Sequence, residues 1–400
     1  MKARLFKISL AKILILQACF LFVTSGLTAN NLANAATIAV KGHSAEAIEP
    51  LVGAYYYGWY DKDRWQSTAA TFTPRLGQYK SLNASVIDQH IDQAKEAGVD
   101  FLMMSWVGQV DPRVGETIGL VQKESEKKGM HFAILYDTAI ALRSSPELID
   151  FASKMPDGMT QGDRFVSDIL QLTNTYAKSP AYQKQDGCPV IGIYLTRNLV
   201  NQEPAFEKLF SELKKRNECV NLVADVVFWN LSQRPLAHNK GSAEEQWSWL
   251  GRYFKAVTGY NMYSDDTKLY ASASDKARRP LDKAFLESTS NEYDAWEKMA
   301  TAHGMRLYPS VFPGYDDRKL RGYQRPYFAR SPEFYAAFWK TVKQHQDKGT
   351  IYFITSFNEW HEGTEIEPSV EDKGDFIKFT RRNISDLKQT FSLKAGAAKR

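Results

Sequence analysis

The amino-acid sequence predicts a single (β/α)8 barrel, an α/β fold in which eight parallel strands alternate with helices. Two observations carry this prediction: eight apolar runs rich in β-branched and aromatic residues recur along the chain, and helix-like stretches lie between them. Such strands indicate a parallel sheet buried on both faces, and eight is the number that closes a barrel. An open, doubly wound sheet is the alternative, but no glycine-rich nucleotide-binding motif follows the first run.

The predicted strands are the apolar runs themselves. In chain order they cover Leu51 to Tyr57, Val99 to Trp106, His131 to Asp137, Pro189 to Leu195, Asn221 to Trp229, Ala256 to Met262, Arg306 to Phe312 and Ile351 to Phe357. The predicted helices carry apolar residues at helical spacing, as in Ser85 to Ala97, which Gly98 ends. The others cover Glu116 to Lys128, Arg164 to Tyr176, Pro204 to Arg216, Tyr293 to Ala302, Pro332 to Gln344 and Phe376 to Lys388.

Residues 1–35 have the pattern of a signal peptide for secretion rather than of a fold element. Basic residues precede the apolar stretch Ile13 to Val23, and Ala33-Asn34-Ala35 is a small-residue cleavage site. We therefore expect an exported protein, periplasmic or secreted, with no membrane span after signal cleavage. The sequence around Cys19 loosely resembles a lipoprotein cleavage site, so lipoprotein anchoring at Cys19 is the alternative.

The rest of the chain reads as one unit. No linker rich in Pro, Gly or Ser divides it, so we expect a catalytic barrel over residues 36–390 and a small basic tail over residues 391–400. The signal holds four of the 51 basic residues and no acidic residue, which leaves 47 basic against 46 acidic residues. This balance fits an uncharged oligosaccharide or polysaccharide substrate and gives no support to a nucleic-acid partner. The oligomeric state is not indicated.

Two cysteines, Cys188 and Cys219, remain after the signal. Both precede predicted strands, and an exported protein meets oxidising conditions that favour a disulfide. Spacing alone does not fix the distance between their Cα atoms, so a disulfide and two free thiols are equally compatible with the sequence.

Residues 356–368 are the most informative segment for function. Glu359 and Glu362 lie three positions apart after the apolar run Ile351 to Ile354, and a turn near Asn358 would bring them together. Glycosidic-bond cleavage generally needs one carboxyl that protonates the leaving oxygen and a second that handles the developing charge or a nucleophile. We interpret Glu359 and Glu362 as this catalytic pair.

A barrel of this type carries its active site at the carboxyl ends of its strands. Those ends are rich in aromatic residues, which suit the apolar faces of sugars, and they include polar groups that suit hydroxyls. The predicted substrate-binding residues are Tyr57, Trp59, Trp106, Asp137, Tyr194, Tyr260, Tyr263, Tyr315, Asn358 and His361. For each aromatic residue alone, packing in the core is an equally good interpretation.

Metal and serine-nucleophile chemistry have little support. His361, Glu362 and Glu365 resemble part of a helical zinc motif, but its second histidine is replaced by a glutamate. No Gly-x-Ser-x-Gly occurs after the signal. We therefore expect neither a metal nor another cofactor.

The segment Phe357 to Glu367 resembles the signature of glycoside hydrolase family 99, the endo-α-mannosidases. Tyr55 to Tyr60, Ser105-Trp106 and Pro309 to Tyr315 resemble the family's first, second and seventh strands, in the same order. The family fold is a (β/α)8 barrel, in agreement with the strand count. The resemblance implies a retaining endo-glycosidase that hydrolyses internal α-mannosidic linkages of glycans without a metal.

The resemblance also implies roles for residues. Glu359 would take the proton of the sugar's 2-hydroxyl group, whose oxygen attacks the anomeric carbon to give a 1,2-anhydro sugar. Glu362 would protonate the leaving oxygen and later activate water. Trp106, Tyr57 and Tyr260 would line the pocket.

The sequence departs from the family at two positions. Asp137 stands where the family has a longer Glu, and Glu365 stands where a Gln is usual, which adds a negative charge near Glu362. Two alternatives to an endo-α-mannosidase stay open: an inactive carbohydrate-binding barrel, and a hydrolase of the same fold that acts on a different sugar.

Overall fold

The structure is a computed structural model that describes residues 49–226, 242–260, 275–321, 327–345 and 349–397. The predicted signal peptide lies outside these residues. So do Tyr263, which the sequence assigns to the substrate pocket, and Trp229, at the end of a predicted strand.

Parallel strands form the centre of the fold, and strands consecutive in the chain are neighbours in the sheet. The first six and the eighth are Leu51–Tyr56, Phe101–Trp106, His131–Tyr136, Cys188–Ile193, Asn221–Asp225, Ala256–Thr258 and Ile351–Ile354. The seventh consists of two pieces, Arg306–Leu307 and Ser310–Val311. We refer to them below as the first to eighth strands.

The seventh strand closes the ring because its two pieces pair with different neighbours. Arg306–Leu307 pairs with the sixth strand and Ser310–Val311 with the eighth, which in turn pairs with the first. Pro309, which has no N–H to donate, lies at the break, and its carbonyl accepts the N–H of Phe353 at 2.9 Å. The predicted (β/α)8 barrel is therefore confirmed.

An outer helix follows each strand. In chain order these helices are Ala84–Glu96, Pro112–Lys128, Gln161–Thr175, Glu203–Lys215, Ala243–Tyr253, Asp275–Ala302, Pro332–Val342 and Asp375–Ala397. Seven of them overlap predicted helices. The helix Ala243–Tyr253 was not predicted, although Ser242 and Glu245 form a capping box at its start.

The loops at the carboxyl ends of the strands contain short helices. These are the α-helical Lys62–Ser67, Thr138–Ala141 and Arg318–Arg321 and the 3-10 turns Gly108–Val110 and Thr196–Asn198. Two-residue strands lie outside the barrel ring: Ile149–Asp150 pairs with Leu199–Val200, and Lys184–Gln185 pairs antiparallel with the fourth strand.

The barrel strands are buried on both faces, as a parallel sheet covered by helices requires. Every residue of the second strand is buried, Ser105 included. Gly53 in the first strand makes room for the ring of Phe101, since a Cβ at that position would lie 2.4 Å from a ring carbon. Packing inside the barrel is therefore tight enough to demand particular residue sizes.

A disulfide joins Cys188 and Cys219, whose Cα atoms are 5.4 Å apart. Cys188 begins the fourth strand and Cys219 lies two residues before the fifth, and these strands pair with Val190 opposite Asn221. Neighbouring parallel strands thus start at the same end of the barrel, which decides between the two alternatives that spacing left open.

The last helix, Asp375–Ala397, extends into the predicted tail, so residues 391–397 are helical. Among the described residues, no helix has both the length and the apolar character that a membrane span requires.

Candidate active site

The eighth strand ends at Ile354, and the chain then turns so that Glu359 and Glu362 lie in one loop at the carboxyl end of the barrel. The side chain of Ser356 accepts the N–H of Glu359 at 2.7 Å, and the N–H of Glu362 donates to the carbonyl of Glu359 at 3.2 Å. Gly363 follows with a φ of 63°, a conformation that glycine adopts without strain. The predicted convergence of the two carboxyl groups rests on this turn.

Glu359 is buried, and three polar groups lie within hydrogen-bond distance of its Oε1 atom, although the one proton of the Tyr60 phenol has a nearer acceptor in the carbonyl of Asn358, at 3.0 Å. The N–H of His361 donates at 3.2 Å, Nδ1 of His361 lies at 3.0 Å, and the phenol of Tyr60 lies at 3.4 Å. Hydrogen bonds to one oxygen fix the orientation of a carboxyl group. Glu359 is therefore held in place and not left to rotate in solvent.

Glu362 is partly buried and accepts a hydrogen bond from the phenol of Tyr260 at 3.0 Å. The backbone of Tyr260 is itself fixed: its N–H donates to Oδ1 of Asp225 at 2.9 Å, and its carbonyl accepts from the side chain of Thr355. Asp225 is fully buried at the end of the fifth strand and also accepts the phenol of Tyr55 at 2.9 Å.

Asp225 is a site-supporting residue that sequence reasoning missed. The available signal was a carboxylate inside the run Asn221 to Trp229, which was read as one continuous strand. A charged group in such a run needs a buried partner, and the structure supplies two donors.

Asn358 clamps the first strand to the loop that carries both glutamates. Its side-chain oxygen accepts the N–H of Tyr57 at 2.7 Å, and its side-chain nitrogen donates to the carbonyl of Tyr57 at 2.9 Å. The residue is fully buried. These bonds join residues 301 positions apart in the sequence and fix the position of the neighbouring Glu359 relative to the first strand.

The aromatic wall beside the two glutamates consists of Tyr57, Trp59, Tyr194 and Tyr260. Ring centroids are 4.6 Å apart for Tyr57 and Trp59, 6.5 Å for Tyr57 and Tyr260, and 5.9 Å for Tyr194 and Tyr260. Burial, reinforced by the charge of Glu359, holds the pKa of Tyr57 well above its ordinary value. The phenol of Tyr57 thus remains neutral and suits hydrogen bonding to a sugar hydroxyl.

Three other predicted pocket residues have different surroundings. Trp106 packs on Tyr136 with ring centroids 5.3 Å apart. Asp137 caps the short helix Thr138–Ala141 by accepting the N–H of Ile140 at 3.0 Å, and burial raises its pKa to about 6. Tyr315 is buried, and its phenol donates to Asp317 at 2.8 Å.

Behind the loop lies a buried polar network centred on Glu367. This carboxylate accepts the phenol of Tyr79 at 2.7 Å and the indole N–H of Trp360 at 3.0 Å, and Nε2 of His90 lies at 3.2 Å. Nδ1 of His90 lies 2.8 Å from the phenol of Tyr56. Each of these groups has a partner, so the network makes the loop that carries Glu359 and Glu362 rigid.

Glu365 is fully buried, and its Oε1 atom lies against the guanidinium group of Arg330. Arg330 also pairs with Asp372 at 2.7 Å and lies over the ring of Phe376. Burial raises the pKa of Glu365 to about 8, although the charge of Arg330 lowers it.

The raised pKa of Glu365 gives the folded protein a pH dependence. The folded state holds a proton on Glu365 up to about pH 8, whereas the unfolded chain loses it near the ordinary value of 4.5, so stability falls as pH rises between these values. Glu365→Gln should flatten the free energy of unfolding across this window, measured by urea denaturation at intervals from pH 5 to 8. Exposed Glu333→Gln is the control; a Glu365→Gln profile as steep as that of the control would contradict the prediction.

The chain is similar to a family profile, to known relatives and to a solved structure. The sequence profile of glycosyl hydrolase family 99 matches residues 282–397, which include the loop with Glu359 and Glu362. The glycoprotein endo-alpha-1,2-mannosidase-like protein of Homo sapiens is 24% identical over 309 residues, which are 76% of this chain and 58% of that protein. The glycoprotein endo-alpha-1,2-mannosidase of Rattus norvegicus is 23% identical over 364 residues, which are 81% of this chain and 70% of that protein.

A solved structure shares the fold. The endo-alpha-mannosidase of family 99 from Bacteroides thetaiotaomicron superimposes with a TM-score of 0.63 at 20% identity, covering 86% of this chain and 99% of that one. The match covers nearly the full length of the Bacteroides thetaiotaomicron protein. The chain spans less than two thirds of the length of the human relative.

Proposed function

We propose that the chain belongs to glycoside hydrolase family 99 and is a retaining endo-glycosidase that hydrolyses internal α-mannosidic linkages of glycans. The observation that carries the proposal is the pair Glu359 and Glu362 in one loop at the carboxyl end of the barrel, beside four aromatic rings. Endo-mannosidase relatives at 23 and 24% identity support the choice of sugar.

In the first step, Glu359 acts as base and Glu362 as acid. The carboxylate of Glu359 takes the proton of the 2-hydroxyl group, and the freed electron pair of that oxygen attacks the anomeric carbon. The bond to the leaving oxygen breaks, and the proton of Glu362 goes to that oxygen. The products are the shortened glycan and a 1,2-anhydro sugar.

In the second step the roles reverse. Glu362, now ionised, takes a proton from water, and the water oxygen attacks the anomeric carbon from the side that the leaving group vacated. The bond to the 2-oxygen breaks, and Glu359 returns its proton to that oxygen. Two inversions give net retention, and neither glutamate becomes covalently linked to the sugar.

The residues around the pair have supporting roles in this proposal. Tyr260 holds Glu362 through its phenol, and Asn358 fixes the loop on the first strand. Tyr57, Trp59 and Tyr194 would contact the sugar faces and hydroxyls on either side of the cleaved bond. Precise placement matters because a misplacement of about 1 Å can reduce rates by roughly 100-fold.

Product analysis tests the proposal. The protein is incubated with α-linked mannose oligosaccharides of defined length, and products are sized by mass spectrometry. Internal cleavage into two oligosaccharides is the expected result. Binding by calorimetry without released reducing ends would identify a carbohydrate-binding barrel instead, and cleavage of α-glucose but not α-mannose oligosaccharides would identify a hydrolase of a different sugar.

We also propose that the protein is exported, on the basis of the basic and apolar pattern in residues 1–35. The protein recovered from the periplasm or medium should begin at Ala36, as read by mass spectrometry of its N-terminal peptide. Recovery of the uncleaved chain from the cytoplasm would contradict export, and a lipid-modified Cys19 would show a lipoprotein.

A further inference from the structure

Both ring nitrogens of His361 are already bonded to protein groups. Nδ1 lies 3.0 Å from Oε1 of Glu359, and Nε2 lies 3.3 Å from the hydroxyl oxygen of Thr68. The ring stacks on Tyr60 with centroids 6.1 Å apart and meets the edge of Trp59 at 6.4 Å. His361 is buried, and its ring has no polar atom left for a sugar hydroxyl.

The proton on Nδ1 follows from counting donors and acceptors. An ionised carboxylate only accepts, so Nδ1 must carry the proton in its bond to Glu359. The hydroxyl of Thr68 lies 2.8 Å from the carbonyl of Arg64 and 3.3 Å from Nε2, and whichever of the two receives its proton, Nδ1 still donates to Glu359.

Both donors that His361 offers to Glu359 reach the same oxygen. The N–H and Nδ1 of His361 lie 3.2 and 3.0 Å from Oε1, and no described residue donates to Oε2. A carboxylate whose terminal torsion is otherwise broad is thereby set in one orientation. Oε2 is therefore the oxygen of Glu359 that can accept a proton from a bound substrate.

From this geometry we propose that His361 is a positioning residue for Glu359, which fixes Oε1 so that Oε2 receives the proton of the substrate's 2-hydroxyl group. The sequence alone assigned His361 to substrate binding. Thr68 is the outer support: it ends the short helix Lys62–Ser67 in the loop after the first strand and fixes the far side of the imidazole. The proposal rests on the proposed role of Glu359 as base.

The test compares His361→Asn with His361→Gln and His361→Ala in steady-state kinetics on an α-mannose oligosaccharide. An Asn side chain can place its amide nitrogen near the position of Nδ1, whereas Gln places it nearer to that of Nε2. We expect His361→Ala to lower kcat by about 10- to 100-fold with KM within about twofold, since orientation is lost and binding is not. His361→Asn should recover most of kcat, and His361→Gln should not.

Thr68→Val gives a second, milder perturbation. It removes the hydroxyl but keeps the shape of the side chain, so kcat should fall by about two- to fivefold with KM unchanged, because the ring keeps its bond to Glu359 but loses one support. This variant and His361→Asn stay informative if His361→Ala does not fold, which thermal denaturation would reveal.

Three results would overturn the proposal. A higher KM with parental kcat in the His361 variants would make His361 a substrate contact. Equal kcat in the Asn and Gln variants would show that the Nδ1 donor is not the reason for any loss. Parental kcat in all His361 variants, with Glu359→Gln inactive, would contradict only the positioning role of His361. An inactive parent protein would contradict the proposed function itself.

Discussion

Replacing Glu362 by Gln should lower kcat/KM for an α-mannose oligosaccharide by roughly 100- to 10,000-fold, the range typical of a lost general acid. The amide keeps the size of the side chain, and its oxygen can still accept the hydrogen bond of the Tyr260 phenol. The fall in kcat/KM therefore reports the loss of the acidic proton and not a change in packing. Steady-state kinetics with a folded variant checks the prediction.

The leaving group gives this prediction its control. An α-mannosyl fluoride needs little protonation, so its bond to the leaving group should still break in Glu362→Gln at a rate much nearer to that of the parent. Glu333 is exposed in the first turn of Pro332–Val342, and Glu333→Gln should leave turnover of both substrates unaffected. An equal loss on both substrates in Glu362→Gln would argue that Glu362 is not the acid.

Replacing Glu359 by Gln should lower kcat for both substrates by roughly 100- to 10,000-fold, because removal of the proton from the 2-hydroxyl group precedes bond cleavage whatever the leaving group. The side-chain oxygen of Gln can still accept the two bonds from His361, so the loop should keep its shape. The measurement is turnover of the oligosaccharide and of the fluoride side by side.

The two glutamate variants therefore differ in pattern as well as in size. Rescue by fluoride is expected for Glu362→Gln and not for Glu359→Gln. Should the fluoride restore Glu359→Gln to the parent rate, the role of Glu359 as base would be wrong, even if the enzyme is an α-mannosidase.

Most of the barrel could be predicted because its strands are continuous apolar runs and its helices have a regular apolar stripe. The break in the seventh strand and its role in closure could not, since they depend on which neighbours Arg306–Leu307 and Ser310–Val311 meet. The helix Ala243–Tyr253 escaped notice, although Ser242 and Glu245 were a readable start signal.

The site was predictable to the extent that it is local in sequence. Glu359 and Glu362 stand in one short segment, and a turn suffices to bring them together. The contacts that hold them are long-range: Tyr260 reaches Glu362 across 102 positions, and Asp225 holds Tyr260 from another strand. No pattern within a single sequence encodes such pairs.

Asp137 and Tyr315 show that the position of a residue in the chain does not reveal its hydrogen-bond partners. Both stand near the ends of strands, where the barrel rule predicts substrate contacts. The structure shows Asp137 accepting a backbone N–H as a helix cap and Tyr315 bonded to Asp317. Their position in the chain was predictable, but their hydrogen-bond partners were not.

The most direct test of the central claim is turnover of a 2-deoxy substrate. An α-mannose oligosaccharide is compared with one that lacks only the 2-hydroxyl group on the sugar whose anomeric bond is cleaved, with binding of both verified by calorimetry. If Glu359 activates that hydroxyl, the 2-deoxy compound should bind but release no product. Hydrolysis of the 2-deoxy compound at the parent rate would contradict the account.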